Sequence, residues 1–113
     1  MIKDLDDKLF RQLIFDYSQG KNAPLLVRKE TVIEFWIPGE ADSIKLDKEY
    51  DLLSEEFPQV DFTRVSGRKY HELDKMFDII SYPAFILITP DGKHEKLEGL
   101  QSITDLRNSL GGD

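Results

Sequence analysis

The sequence predicts an α/β domain in which a central mixed sheet of four to five strands is flanked by helices on both faces. Three observations carry that prediction. Segments of helical and of strand periodicity alternate along the chain. Two runs, Thr31–Ile37 and Ala84–Thr89, are almost continuously apolar, as strands buried on both sides are. The second run is followed by Pro90-Asp91-Gly92-Lys93, a turn that folds the chain back and places an antiparallel hairpin in the sheet. At 113 residues the chain has the length of one domain, so a single unit over 1–113 is expected. Residues 1–30 supply an N-terminal strand, helix and loop, and residues 31–110 the core.

A short strand at Met1–Lys3 opens the chain. Leu5, Leu9, Leu13 and Tyr17, flanked by Phe10 and Ile14, recur at helical spacing and predict a first helix that ends at the breakers Ser18 to Pro24. The strand Thr31–Ile37 stops at Pro38-Gly39, and only Glu34 breaks its apolar character. Leu46, Tyr50, Leu53 and Phe57 then form one apolar stripe on a helix closed by Pro58, with Lys48, Glu49, Glu55 and Glu56 on its wet face. Val60–Val65 alternates with period two and reads as a strand, and Tyr70, Leu73 and Phe77 mark a short third helix. After the hairpin, His94–Glu98 is the return strand. Ser102 with Asp105 has the spacing of a capping box, opening a last helix whose buried face is Ile103, Leu106 and Leu110 and which ends at Gly111-Gly112.

With 22 acidic and 15 basic residues the net charge is −7, which repels phosphate backbones and anionic lipid headgroups, so nucleic acid and membranes are excluded as expected partners. The hydrophilic start, Met1 to Asp7, reads as neither a secretory signal nor a membrane span, and a cytoplasmic protein is expected. There is no cysteine, so the chain has no thiol chemistry of its own.

Val32-Ile33-Glu34-Phe35-Trp36 resembles the central strand of the thioredoxins, which typically reads V-D-F-W and runs into the active-site helix. Continued without a gap, the family's W-C-G-P-C falls on Gly39-Glu40-Ala41-Asp42-Ser43, its amphipathic helix on Ile44 to Phe57, and its I-P-T loop on Tyr82-Pro83-Ala84. Its late glycines fall on Gly92 and Gly99. The resemblance, which runs from Thr31 to Leu110, implies a thioredoxin fold in which both active-site cysteines are replaced, by Glu40 and Ser43. It further implies a cis bond before Pro83 and a groove in which an extended peptide pairs with the backbone of Tyr82.

The expected working surface is therefore Glu40, Ala41, Asp42 and Ser43 at the start of the long helix, with Gly39, Gly67, Ser81, Tyr82, Pro83 and Gly99 lining the groove. The bland account of Glu40, Asp42 and Ser43 is that they cap the helix, where unpaired N–H groups and the dipole favour oxygen ligands. No cofactor, no metal and no catalytic residue is expected. Ser43 lacks a base, because His71 and His94 fall on the third helix and at the far end of the hairpin. Glu34 takes the place of the family's buried carboxylate and Arg64 that of a basic neighbour, so an internal Glu34–Arg64 pair is expected.

The reading that follows is a binding, scaffold or chaperone-like module without redox activity, whose partner is a protein or extended peptide. One alternative is an enzyme of the glutathione-using type with Ser43, Glu40 or Asp42 at the helix N-terminus. Another is an assembly subunit whose groove is vestigial.

Overall fold

The computed structural model describes residues 2–20, 22–37, 41–67, 69–99 and 102–111, and for residues 41–43 the backbone alone. Its elements in chain order are β1 (Ile2–Asp4), α1 (Asp7–Leu13), β2 (Thr31–Trp36), α2 (Ala41–Glu56), β3 (Asp61–Ser66), α3 (His71–Met76), β4 (Ala84–Ile88), β5 (His94–Glu98) and α4 (Ser102–Gly111), with one 3₁₀ turn at Tyr17–Gln19.

The sheet has five strands in the order β1-β3-β2-β4-β5. β1 and β2 both pair with β3 in parallel, and β4 runs antiparallel to β2 and β5. The strand with the longest apolar run, β2, is thus central, and residues Thr31 to Phe35 are all buried. Alternate residues face opposite sides. Ile33, Phe35, Val65, Ala84, Ile86 and Ile88 pack with Phe10 of α1 and Leu73 of α3. Val32, Phe62, Phe85 and Leu87 pack on the other side with Leu46, Tyr50 and Leu53 of α2 and Ile103 and Leu106 of α4. Helices therefore cover both faces. Arg107 of α4 also forms an ion pair with Glu56 of α2.

The β4–β5 turn follows from its residues. Gly92 adopts φ 94°, a left-handed conformation, while the Gly92 N–H donates to the Thr89 carbonyl at 2.9 Å.

Two local expectations are corrected. The first helix does not reach Tyr17. Asp6 caps it by accepting from the Leu9 N–H at 2.7 Å, and past Leu13 the chain turns to meet the next loop, with the Leu26 N–H donating to the Ile14 carbonyl at 2.8 Å. Helical spacing alone could not register this long-range bond. Ser102 is no capping-box residue: its hydroxyl donates to the Gly99 carbonyl at 2.6 Å, closing the turn that precedes α4.

Tyr50 anchors α2 to the sheet. It is fully buried, its ring meets Phe62 and Phe85 at centroid distances of 5.4 Å, and its hydroxyl donates to the Thr63 carbonyl at 2.6 Å. Tyr50→Phe is expected to lower stability by about 1 kcal/mol, the net worth of one hydrogen bond. Tyr50→Ala, which also opens a cavity, should cost about 3–5 kcal/mol. Urea unfolding with unchanged slope checks both values; equal losses would show that the ring contributes nothing beyond its hydroxyl.

Candidate functional site

The parallel strands β2 and β3 end together, with Trp36 opposite Ser66. At this carboxyl end four chain segments converge. The Gly67 N–H donates to the Trp36 carbonyl at 2.6 Å, which carries the chain beyond β3 alongside the end of β2. The ring of Tyr82 then lies directly on Gly67: a Cβ built there would overlap it, 2.7 Å from Cδ1 and closer still to Cε1. Glycine is required by this close approach. The Tyr82 hydroxyl donates to Asp74 Oδ2 on α3 at 2.8 Å. The Tyr82–Pro83 peptide bond is cis, and the Pro83 carbonyl accepts from the Gly99 N–H at 3.1 Å.

Of the residues expected to form the groove, Gly67, Tyr82, Pro83 and Gly99 are thus joined by direct contacts or hydrogen bonds, and Ser81 adjoins them. Gly39 and Glu40 lie outside the described residues. Ala41, Asp42 and Ser43 form the first turn of α2, which follows β2 directly, and their side chains also lie outside the description. His71 begins α3 and His94 begins β5, and both are exposed. Among the described residues no cluster of three or more His, Cys, Asp or Glu side chains could hold a metal ion.

Two residues that sequence reasoning missed hold the loop before Pro83. Glu98 Oε2 accepts from the Ile80 N–H, the Ser81 N–H, both at 3.2 Å, and the Ser81 hydroxyl at 3.3 Å. Lys96 Nζ donates to the Asp78 carbonyl at 2.8 Å and lies 3.5 Å from Glu98 Oε1. Partial burial works to raise the Glu98 pKa, but the two N–H donors and Lys96 outweigh it and hold the carboxyl below its usual range. The available signal was the period-two spacing of Lys96 and Glu98, which puts both on one face of β5.

Beneath the site, Glu34 and Arg64 are opposite neighbours on β2 and β3, and Arg64 Nε donates to Glu34 Oε1 at 3.1 Å. Arg64 is shared. Its Nη2 pairs with Asp47 of α2, and its guanidinium lies over the Trp36 ring, 4.5 Å from the centroid. Asp47 was also missed; it sits beside Leu46 on the flank of the apolar stripe, where an acid reads as solvated. Because Glu34 is only 1 % exposed, burial pushes its carboxyl up to about 7, and Arg64, divided between two carboxylates, only partly offsets this.

The sign of the pH dependence follows. Glu34 unfolded ionises near the ordinary 4.5 and folded near 7, so between those values the folded chain holds a proton that the unfolded chain has released. Stability contributed by Glu34 therefore falls as pH rises through the window, by roughly 3 kcal/mol in total. Measured by urea unfolding, the stability of Glu34→Gln relative to the wild type should rise from about pH 5 to about pH 8. A constant difference would contradict a carboxyl raised by burial.

Comparison with known proteins agrees with this architecture. No family model matches the chain. A stretch of 68 residues, 60 % of this chain, is 26 % identical to human glutaredoxin-3, of whose length it spans only 20 %. The thioredoxin of Trypanosoma brucei brucei superposes with a TM-score of 0.76 over 99 % of this chain and 89 % of that one, at 19 % identity. Thioredoxin f of spinach chloroplasts gives a TM-score of 0.76 over 98 % and 84 %, at 15 % identity. Likeness at these identities speaks for architecture alone. The chain has the thioredoxin fold and carries no cysteine.

Proposed function

We propose that this domain is a non-catalytic binding module that takes an extended polypeptide at the carboxyl end of β2 and β3, against the loop 80–82. The observation that carries this reading is Ile80. It is 80 % exposed, the highest value among the described large hydrophobic residues, yet its backbone is fastened by Glu98. An aliphatic side chain presented to water on an anchored loop suits recognition, because little conformational entropy remains to be lost on binding. Backbone pairing gives a peptide affinity, and apolar pockets or knobs give it preference for particular side chains.

The lack of cysteine supports a role without disulfide exchange, which requires a thiolate. A partner with apolar side chains and net positive charge is favoured by the excess of acidic residues. Carboxylates at Glu40 and Asp42 in the sequence disfavour the anionic tripeptide that a glutathione-using enzyme would need.

The test is amide chemical-shift mapping with a library of unstructured peptides. Peptides with an aliphatic residue flanked by basic ones are expected to shift Gly67, Ile80 and Ser81, and Ile80→Asp should weaken binding about tenfold or more without lowering stability, its side chain being exposed. Glutathione should leave the spectrum unchanged. Saturable glutathione shifts at residues 41–44 would favour the enzyme reading instead, and partners that survive Ile80→Asp would move the interface elsewhere.

A further inference from the structure

A second concave site lies at the opposite pole, where β1, β2 and β3 begin. There the short α1 stops at Leu13 and leaves the parallel half of the sheet partly uncovered, forming a cleft of about 780 Å³. Its position is built. The loop on its rim is tied to the end of α1 by the Leu26 N–H, which donates to the Ile14 carbonyl at 2.8 Å, and by the Phe15–Leu25 bridge.

The chemistry of its walls is mixed in a specific way. Leu13 and Leu26 expose apolar surface to the cleft, above a floor that includes the buried Ile14 and Val27. The floor hydroxyls of Thr31 and Thr63 are occupied, donating to the Lys29 carbonyl at 2.9 Å and the Val32 carbonyl at 2.8 Å. Two cationic side chains, Lys3 and Arg28, also line the cleft, and neither has an ion-pair partner among the described residues. One of its two acids, Asp61, is already paired with Lys29, Nζ to Oδ1 at 3.3 Å, which leaves Glu55. In a chain of net charge −7, an apolar cleft whose unpaired groups are two cations and one acid stands out.

We infer that this cleft binds a free medium-chain carboxylate, with the tail along Leu13, Leu26 and Val27 and the carboxylate between Lys3 and Arg28. The cleft volume lies within the range of small-molecule sites, which combine apolar walls with a few polar groups that fix orientation. An anionic head is selected because it would gain charge-assisted hydrogen bonds from both cations, whereas a cationic head would meet repulsion from them.

Sodium decanoate below its micelle concentration, titrated into the full chain and followed by amide shifts, tests this. Saturable shifts are expected at Leu13, Leu26, Val27 and Thr63, with none at Ile80 or Ser81, and decyltrimethylammonium should bind at least about tenfold more weakly. The double variant Lys3→Glu, Arg28→Glu should weaken decanoate by about tenfold or more, and Lys3→Gln, Arg28→Gln by less, with thermal unfolding showing that both fold. Several results would overturn the inference. They are absence of saturable shifts, equal binding of the cationic amphiphile, indifference to both double variants, and cosedimentation with phosphatidylglycerol vesicles without decanoate binding. Shifts at Leu13 and Leu26 that depend on protein concentration alone would likewise overturn it, assigning the cleft to a second copy of the chain.

Discussion

The contact between the Tyr82 ring and the bare Cα of Gly67 is the constraint on which the carboxyl pole of the sheet depends. It fixes the distance between the end of β3 and the segment entering β4. Gly67 is in turn bonded to the Trp36 carbonyl, and the Tyr82 hydroxyl reaches Asp74 of α3, so β2, β3, α3 and the loop before β4 share one arrangement. β5 closes the arrangement from the other side through Glu98 and Lys96. None of these interactions involves sulfur. The surface can therefore keep its form in a chain with no cysteine, which separates the shape of this pole from the redox chemistry of the thioredoxins it resembles.

Under that surface lies a charge arrangement of a different kind. Glu34, Arg64 and Asp47 form a chain of acid, base and acid that runs from the central strand to the flank of α2, with Trp36 stacked on the guanidinium. Removing a charge from water costs several kcal/mol, and one cation divided between two carboxylates does not repay it for both. The more exposed Asp47 keeps part of its hydration, so the cost falls on Glu34, whose carboxyl is driven toward neutrality. The same negative charge, when present, adds to burial in pushing the hydroxyl of Tyr50 well above its ordinary value. A strand position that interrupts an apolar run is thus tolerated because its side chain has a neighbour on the adjacent strand.

Much of this architecture was legible in the residues. Period two and near-continuous apolar runs located the strands, since burial on one or both faces is a local property of composition, and the four-three-four spacing of Leu46, Tyr50, Leu53 and Phe57 located α2. The stretch from Leu5 to Tyr17 misled, because the carbonyl of Ile14 is claimed by Leu26, a residue in another segment. At the site, Glu34 and Arg64 were readable as a charge in an apolar strand and a base on the next. Glu98, Lys96 and Asp47 were not: each looks like an ordinary surface charge, and its meaning resides in backbone groups or side chains distant in sequence. The cleft at the other pole was invisible for the same reason, as it arises from where α1 stops.

The two poles divide the molecule. At one end the parallel strands finish beneath an anchored loop bearing an exposed isoleucine, and at the other they begin beside a cleft lined by apolar side chains together with Lys3 and Arg28. The binding surface at the carboxyl pole requires that loop 80–82 be held in place by Glu98 rather than rest there. Amide hydrogen exchange reads this directly. The Ile80 and Ser81 amides, although at the surface, should exchange slowly in the wild type and rapidly in Glu98→Ala, while the β2 and β4 amides stay protected in both. Free exchange of Ile80 and Ser81 in the wild type would contradict the central claim.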